Sequence, residues 1–129
     1  MEIVALVISI ISLVAVFYQN FKTKVTLDNQ IYSSFVANSL EIDRMLIEHP
    51  EVRKYVYDRE PVDENTPDLD RMLSIMELIV DIMENIEVYR RYIPKNRRAG
   101  WMAFVADMKE TPLYVYYQKK YGHWYEVEK

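Results

Sequence analysis

An uncharged apolar run at the N-terminus constrains this chain more than any other feature of its sequence. The segment Ile3–Tyr18 reads IVALVISIISLVAVFY, and apolar character returns at Phe21. At about 1.5 Å of rise per residue, a helix from Ile3 to Phe21 is about 28 Å long, close to the ~30 Å hydrocarbon core of a bilayer. The run therefore predicts a transmembrane anchor over residues 1–24, with residues 3–21 in contact with membrane lipid.

Two other structures would also account for this run. A cleaved signal peptide needs a basic N-terminal region and small residues at the cleavage site, but Glu2 occupies that region and residues 16–18 are bulky. A core helix of a soluble protein is the second alternative, because sixteen uncharged residues are slightly short for a span. Lys22 and Lys24 follow the run directly. The positive-inside rule then predicts a single-pass protein of the cell membrane with a cytoplasmic C-terminal domain.

Residues 25–129 are predicted to form that domain as a small antiparallel helical bundle, so the expected fold class is all-α. Two glycines and five prolines are a poor supply of turn residues for a sheet protein. A first helix is expected over Asp28–Glu48, and a second begins at Pro50. The segment LDRMLSIMELIVDIMENI, residues 69–86, is apolar around more than half of the helical circumference, which is typical of a central helix.

Cap and proline signatures predict the ends of the later helices. Thr66-Pro67 and Thr111-Pro112 each place a capping threonine before a proline, so a helix should begin at both points. The central helix is expected to run to about Tyr92, since Pro94 ends it. Lys95–Gly100 is interpreted as a basic connection to a further helix, which begins near Trp101.

Two polar residues are candidates for a buried position. In the helix Asp28–Glu48, Asn38 falls in a 4-3-4-3 series with Ile31, Phe35, Ile42 and Met45, where a lone Asn can fix register or oligomer state. The interpretation that we favour is a satisfied or exposed Asn in an ordinary bundle. Glu87 shares the apolar side of the central helix, so it should be paired or lie at an interface. Its expected partners are Arg71, Arg90 and Arg91.

The charge of the predicted domain is divided along its sequence. Residues 58–87 contain ten acidic and two basic residues, whereas residues 90–120 contain eight basic and two acidic residues. The net charge of the whole chain is −4, which argues against a nucleic-acid partner. The densest group of bases, interleaved with aromatic residues, is the candidate binding site: Arg90, Arg91, Lys95, Arg97 and Arg98, followed by Trp101.

Three interpretations of this basic cluster stay open. It pairs with the acidic central helix of the same or a neighbouring chain, it contacts anionic lipid headgroups, or it binds a phosphorylated small ligand through its arginines. The sequence gives no indication of a catalytic site. Cysteine is absent, the two histidines are isolated, and no catalytic, metal-binding or glycine-rich phosphate motif occurs. No catalytic residue, metal or cofactor is therefore predicted.

The order of segments resembles a loose group of short prokaryotic proteins of unknown function. A membrane helix is followed by HPEVRKYVYD, RMLSIMELIVDIMENIE, GWMAFVADM and TPLYVYYQKKYGHWY. The resemblance implies a single-pass anchor with a helical cytoplasmic domain, and it implies no activity. The expected function is a non-enzymatic, homo-oligomeric module that acts through protein–protein contacts. The alternative is a membrane effector that senses a phosphorylated ligand at Arg90–Arg98.

Overall fold

The computed structural model describes residues 1–125, which form helices and connecting turns without a strand. The all-α prediction is confirmed. Five α-helices follow one another: α1 (Glu2–Glu48), α2 (Pro50–Tyr57), α3 (Leu69–Val88), α4 (Lys95–Lys109) and α5 (Pro112–Tyr121). Two 3₁₀ turns, Arg90–Tyr92 and Gly122–Tyr125, follow α3 and α5.

The first helix is a single uninterrupted rod of 47 residues, about 70 Å long at 1.5 Å per residue. The sequence predicted an anchor and a separate helix from Asp28. One helix forms instead, because the junction KTKVTL at residues 22–27 contains neither proline nor glycine to end it. Residues 1–27 are all exposed, and burial begins only at Asp28. We call the packed part of the protein, residues 28–125, the head.

The head is built around α3, which packs against α1, α4 and α5. The broad apolar stripe predicted for this helix is confirmed, since nine of its side chains are buried, while Leu78 is 39% exposed. Its neighbours complete one continuous core with Phe35, Ile42, Leu46, Val52, Val56, Ile93, Val105, Met108, Leu113 and Tyr117. No residue before Ile31 contributes to this core.

The two threonine–proline signatures have different outcomes. Thr111 caps α5 as predicted, because its Oγ1 accepts a hydrogen bond from the Tyr114 amide at 3.2 Å. The prediction that Thr66 caps α3 is wrong. Its hydroxyl accepts from the amide of Asp63 in the preceding loop at 2.9 Å, and α3 begins at Leu69.

The basic stretch after α3 also differs from the prediction. Lys95–Gly100 is not a connection but the first part of α4, which begins directly after Pro94. The Pro94 carbonyl accepts from the amides of Arg97 and Arg98 at 2.9 and 3.0 Å. These bonds form the first helical turn and fix the direction of the following side chains.

Contacts at the two ends of α3 define where each end lies. Near its C-terminus, the ring of Tyr89 lies 6.5 Å from the ring of Phe35 on α1. At its start, Arg71 forms a 3.2 Å ion pair with Glu51 in the first turn of α2. The C-terminal end of α3 therefore lies beside the part of α1 that enters the head, and its start lies at the far end.

Candidate functional site

A cleft of about 430 Å³ is enclosed by the second half of α1, by α2, α3 and α4. Its walls are mainly apolar and aromatic, with the polar exceptions at the rim; the lining residues are Tyr32, Ser39, Ile42, Asp43, Val56, Tyr57, Ile79, Ile82, Arg97, Gly100, Trp101 and Phe104. A concave apolar site with a few convergent polar groups is the usual form of a ligand pocket.

Aromatic contacts order one wall of this cleft. Trp101 packs edge-to-face against Tyr32 and Phe104, with ring centroids 6.5 and 6.4 Å apart. Its Nε1 donates to the Tyr32 hydroxyl at 3.5 Å. These contacts join α1 to α4 and hold the indole in one orientation.

The opposite rim is formed by Tyr57 and Asp43. The Tyr57 hydroxyl donates to Asp43 Oδ1 at 3.5 Å. Partial burial raises the pKa of the Tyr57 phenol above its ordinary value, and the nearby Asp43 carboxylate raises it further. Tyr57 therefore remains a neutral donor well into the alkaline range.

Two opposite charges line the same cleft without pairing to each other. Within residues 1–125, neither Arg97 nor Asp43 takes part in an ion pair. Arg97 is exposed and stands one helical turn before Trp101 on α4. An anionic group at the mouth of the cleft would meet a free guanidinium beside an aromatic wall.

The basic cluster does not act as one surface. Arg98 turns inward, and its Nη2 donates to the carbonyls of Ile93 at 3.1 Å and Arg91 at 3.4 Å. The Arg91 guanidinium lies over the ring of Tyr92, 4.7 Å from its centroid. Only Arg97 reaches the cleft, together with Trp101. In the described part of the chain, no ion pair joins any base of the cluster to the acidic helix α3.

Asn38 is exposed, which agrees with the favoured interpretation, and its candidacy for a buried position is wrong. The packed face of α1 keeps Phe35 and Ile42 of the expected series but continues through Leu46, so its polar member is Ser39. The Ser39 hydroxyl donates to the Val36 carbonyl at 3.0 Å.

Glu87 is exposed and not buried, but it is paired as predicted, with a lysine of α4 in place of the expected arginines. Its Oε1 accepts from Nζ of Lys109 on α4. Glu87 lies in the last turn of α3, where the neighbouring Val88 is 70% exposed. A helical wheel shows the direction in which this side chain points, but it does not show that the packed part of α3 ends before Glu87.

A second surface follows the exposed side of α1. Thirteen residues at alternating spacings of four and three are all exposed, from one end of the helix to the other: Ala5, Ser9, Ser12, Val16, Gln19, Thr23, Thr26, Gln30, Ser33, Ala37, Leu40, Arg44 and Ile47. We call this set the α1 seam. At 100° per residue it lies opposite the packed face that contains Phe35, Ile42 and Leu46.

No group of three or more potential metal-ligating side chains occurs among residues 1–125. No protein-family model, curated protein or solved structure matches this chain. The cleft residues outside the cluster, such as Asp43 and Tyr57, are far from Arg97 in sequence, so no local spacing could have indicated them. The sequence feature that could have indicated these cleft residues is the occurrence of tyrosines beside apolar helical positions.

Proposed function

We propose that this protein is a single-pass membrane protein that acts as a non-enzymatic assembly module. In this proposal α1 crosses the cell membrane, the head lies in the cytoplasm as a small antiparallel bundle, and the first partner is a second copy of the chain. The observation that supports it best is the continuity of α1. The same helix contains an exposed apolar segment of bilayer length and a face of the head's core.

The exposure of the apolar segment favours a membrane span over a core helix. Its most apolar window has a mean hydropathy of 2.2, and none of that window is buried. A helix of a soluble core would place those side chains against other elements, as α3 does. Lys22 and Lys24 then stand at the cytoplasmic boundary, which supports the proposed orientation.

The α1 seam supports assembly of identical chains. Copies anchored in one membrane have parallel α1 helices, so the same residues can meet at the same height. Parallel coiled coils place mainly apolar residues at this spacing of four and three, whereas the α1 seam mixes apolar and small residues with polar ones such as Gln19, Gln30 and Arg44. Within the span, the seam contains Ala5, Ser9 and Ser12, small residues that allow close approach of helices in lipid. In the head it contains Leu40 and Ile47, which are 61% and 73% exposed.

Cysteine cross-linking in membranes tests this proposal, because the chain contains no cysteine of its own. Ser12→Cys and Thr26→Cys place a thiol in the seam, whereas Val14→Cys and Phe21→Cys place one on the other side of the same helix. A disulfide requires Cβ atoms about 3.5–4.5 Å apart. We expect oxidised dimers from the seam variants and monomers from the controls.

Equal cross-linking at all four positions would indicate random collision and contradict the seam. Absence of dimers from both seam variants would contradict assembly through α1. Alkaline carbonate extraction of the unmodified chain tests the span separately. Release of the protein into the supernatant would contradict membrane anchoring whatever the cross-linking shows.

We propose a second candidate function on the basis of the cleft. The free guanidinium of Arg97 and the indole of Trp101 line one concave site of about 430 Å³. A phosphorylated small molecule with a planar ring matches this arrangement, with its phosphate on Arg97 and its ring on the aromatic wall. Because α1 forms one side of the cleft, an occupied cleft would contact the helix that continues into the span.

A further inference from the structure

The 3₁₀ turn Arg90–Tyr92 lies against α1 at the point where the helix leaves the proposed span. Tyr92 lines a shallow depression together with Asn20, Lys24 and Leu27 of α1. These α1 residues immediately surround the end of the apolar run. The turn therefore stands at the membrane-proximal end of the head.

The height of this turn matches the headgroup layer. If the hydrocarbon core ends at Phe21, Lys24 lies about 4.5 Å above it and Asp28 about 10.5 Å above it at 1.5 Å per residue. The interfacial region adds roughly 5–8 Å on each side of the hydrocarbon core. The depression that Tyr92 shares with Lys24 thus overlaps the layer that contains lipid phosphates.

Four bases lie near this level, in two separate parts of the sequence, and Lys24 is the one that lines the depression with Tyr92. Lys22 and Lys24 belong to α1, and Arg90 and Arg91 belong to the turn. All four are exposed, and none of them has an ion-pair partner within residues 1–125. One acidic residue, Asp28, lines the same depression. We call these four bases the basic surface.

The turn is held in position from two sides. Arg98 donates to the carbonyls of Arg91 and Ile93, and Tyr89 packs on Phe35 of α1. The Arg91 Nη2 donates to the Tyr92 hydroxyl at 2.6 Å. An arginine fixed over a tyrosine presents a charge and an amphipathic ring at one level, as residues at a bilayer interface do.

We infer that the basic surface binds the headgroups of anionic phospholipids and thereby fixes the tilt of the head on the bilayer. This inference rests on the proposed span. A pair of adjacent bases far from this turn, Lys119 and Lys120, lines a depression with Glu64 and Leu69 at the start of α3. That end lies about 30 Å away along α3, so those lysines do not reach the same layer and serve as a matched control.

The test uses the full chain in nanodiscs with one fluorophore on one introduced cysteine. Asn96→Cys reports the membrane-proximal end of α4, Glu64→Cys the far end of the head, and Thr23→Cys the end of the span. A small constant amount of phosphatidylcholine with a nitroxide on its headgroup quenches probes near the surface. Bilayers of phosphatidylcholine alone are compared with bilayers that contain about a third phosphatidylserine, enough for a negative surface potential.

We expect quenching at Asn96→Cys to increase with phosphatidylserine and the increase to fall at high salt, which screens charges beyond ~8–10 Å. One base near an anionic surface changes the equilibrium about fivefold. Arg90→Gln/Arg91→Gln should therefore weaken binding of the head to the anionic surface by roughly 25-fold and abolish the increase in quenching. Lys119→Gln/Lys120→Gln removes the same amount of charge and should retain the increase in quenching. Glu64→Cys should stay unquenched throughout.

Equal quenching at Asn96→Cys in both bilayers, or an increase that survives Arg90→Gln/Arg91→Gln, would overturn the basic surface. Quenching at Thr23→Cys shows whether α1 crosses the membrane, so it distinguishes a wrong lipid contact from a wrong membrane span. If Thr23→Cys remains quenched, the span stands and only the lipid contact is wrong. If Thr23→Cys is unquenched, the proposed anchor is wrong and the lipid contact is wrong with it.

Discussion

Nζ of Lys109 donates to Oε1 of Glu87 at 2.5 Å and joins the end of α4 to the last turn of α3. Both side chains are nearly half exposed, at 45% and 44%. Water competes for both partners, so such a pair contributes only about 0–1 kcal/mol. We expect Glu87→Gln and Lys109→Met each to lower the free energy of unfolding by less than about 1 kcal/mol. Urea denaturation of the two variants and their combination measures the coupling.

The sequence alone predicted a different result at this position. A buried acid that loses its partner costs about 3–5 kcal/mol. A loss of that size for Glu87→Gln would show that the carboxylate is buried, for instance against a second copy of the chain. Repeating the measurement over a range of protein concentrations separates burial within one chain from burial between two chains, because only burial between chains depends on concentration.

Thr111 should be much more important to stability than Thr66. Thr111 is 2% exposed, accepts from the Tyr114 amide and donates to the Met108 carbonyl at 2.8 Å. Thr111→Val keeps the shape but leaves the partly buried Tyr114 amide without its partner, while the Met108 carbonyl still accepts from the Thr111 amide at 3.1 Å. We expect a loss of about 1–2 kcal/mol in the free energy of unfolding.

Thr66→Val is the matched control, since Thr66 is also followed by a proline. Its hydroxyl bonds only within the exposed loop to Asp63, so we expect a loss below about 0.5 kcal/mol. Thermal unfolding of both variants gives the comparison. Equal losses would mean that Thr66 stabilises the start of α3 in a way that its hydrogen bonds do not indicate.

Elements with strong periodicity were predictable, and junctions were not. The buried stripe of α3 follows from spacing alone, because an apolar face of that width has to be covered on several sides. The continuity of α1 did not follow, since composition changes at Lys22 while helix propensity does not. The start of α4 did not follow either, because a run of bases after a proline is typical of a solvated loop, although Lys and Arg are also good helix formers.

The candidate site was predictable only in part for a similar reason. The cluster indicated Arg97 and Trp101, but the neighbouring Arg98 faces the carbonyls of Ile93 and Arg91 instead. Adjacent residues in a helix point in directions about 100° apart, so a cluster in sequence is divided between surfaces. Asp43 joins the site through packing of α1 against α2 and α3, which local sequence does not encode.

The head should fold without the apolar half of α1. Its core contains no residue before Ile31, so a fragment that begins at Thr26 retains every packed side chain. We expect this fragment to be soluble, to show a helical circular-dichroism spectrum and to unfold cooperatively. Ile86→Ala in the fragment should cost about 2–5 kcal/mol, because Ile86 is fully buried. Aggregation or a disordered spectrum would mean that residues 1–25 are part of the fold.

Tyr57 should have a phenol pKa above the ordinary value for tyrosine. Burial and Asp43 raise its pKa, so the folded state holds the phenol proton more tightly than the unfolded state does. The resulting stabilisation is fully present below the unfolded pKa and is lost as pH rises through the folded pKa. We expect Tyr57→Phe to remove one late phase from the tyrosinate absorbance titration. Asp43→Asn should move that phase to lower pH without removing it, and an unchanged titration in both variants would contradict the assignment.

The last prediction separates assembly through the α1 seam from ligand binding in the cleft, because the two surfaces have no residue in common. Leu40→Glu/Ile47→Glu places like charges in the seam of neighbouring parallel chains. It should reduce the oligomer mass measured by light scattering in detergent, and high salt should restore part of it. Arg97→Glu reverses the free charge at the cleft and should leave the mass unchanged. If the cleft binds phosphate, a nucleotide or polyphosphate that raises the melting temperature of the unmodified protein should lose its effect on Arg97→Glu. The same compound should still protect Leu40→Glu/Ile47→Glu, because that variant retains every cleft residue. Loss of mass in Arg97→Glu would instead assign Arg97 to the interface, and protection that survives Arg97→Glu would exclude the cleft as the phosphate site.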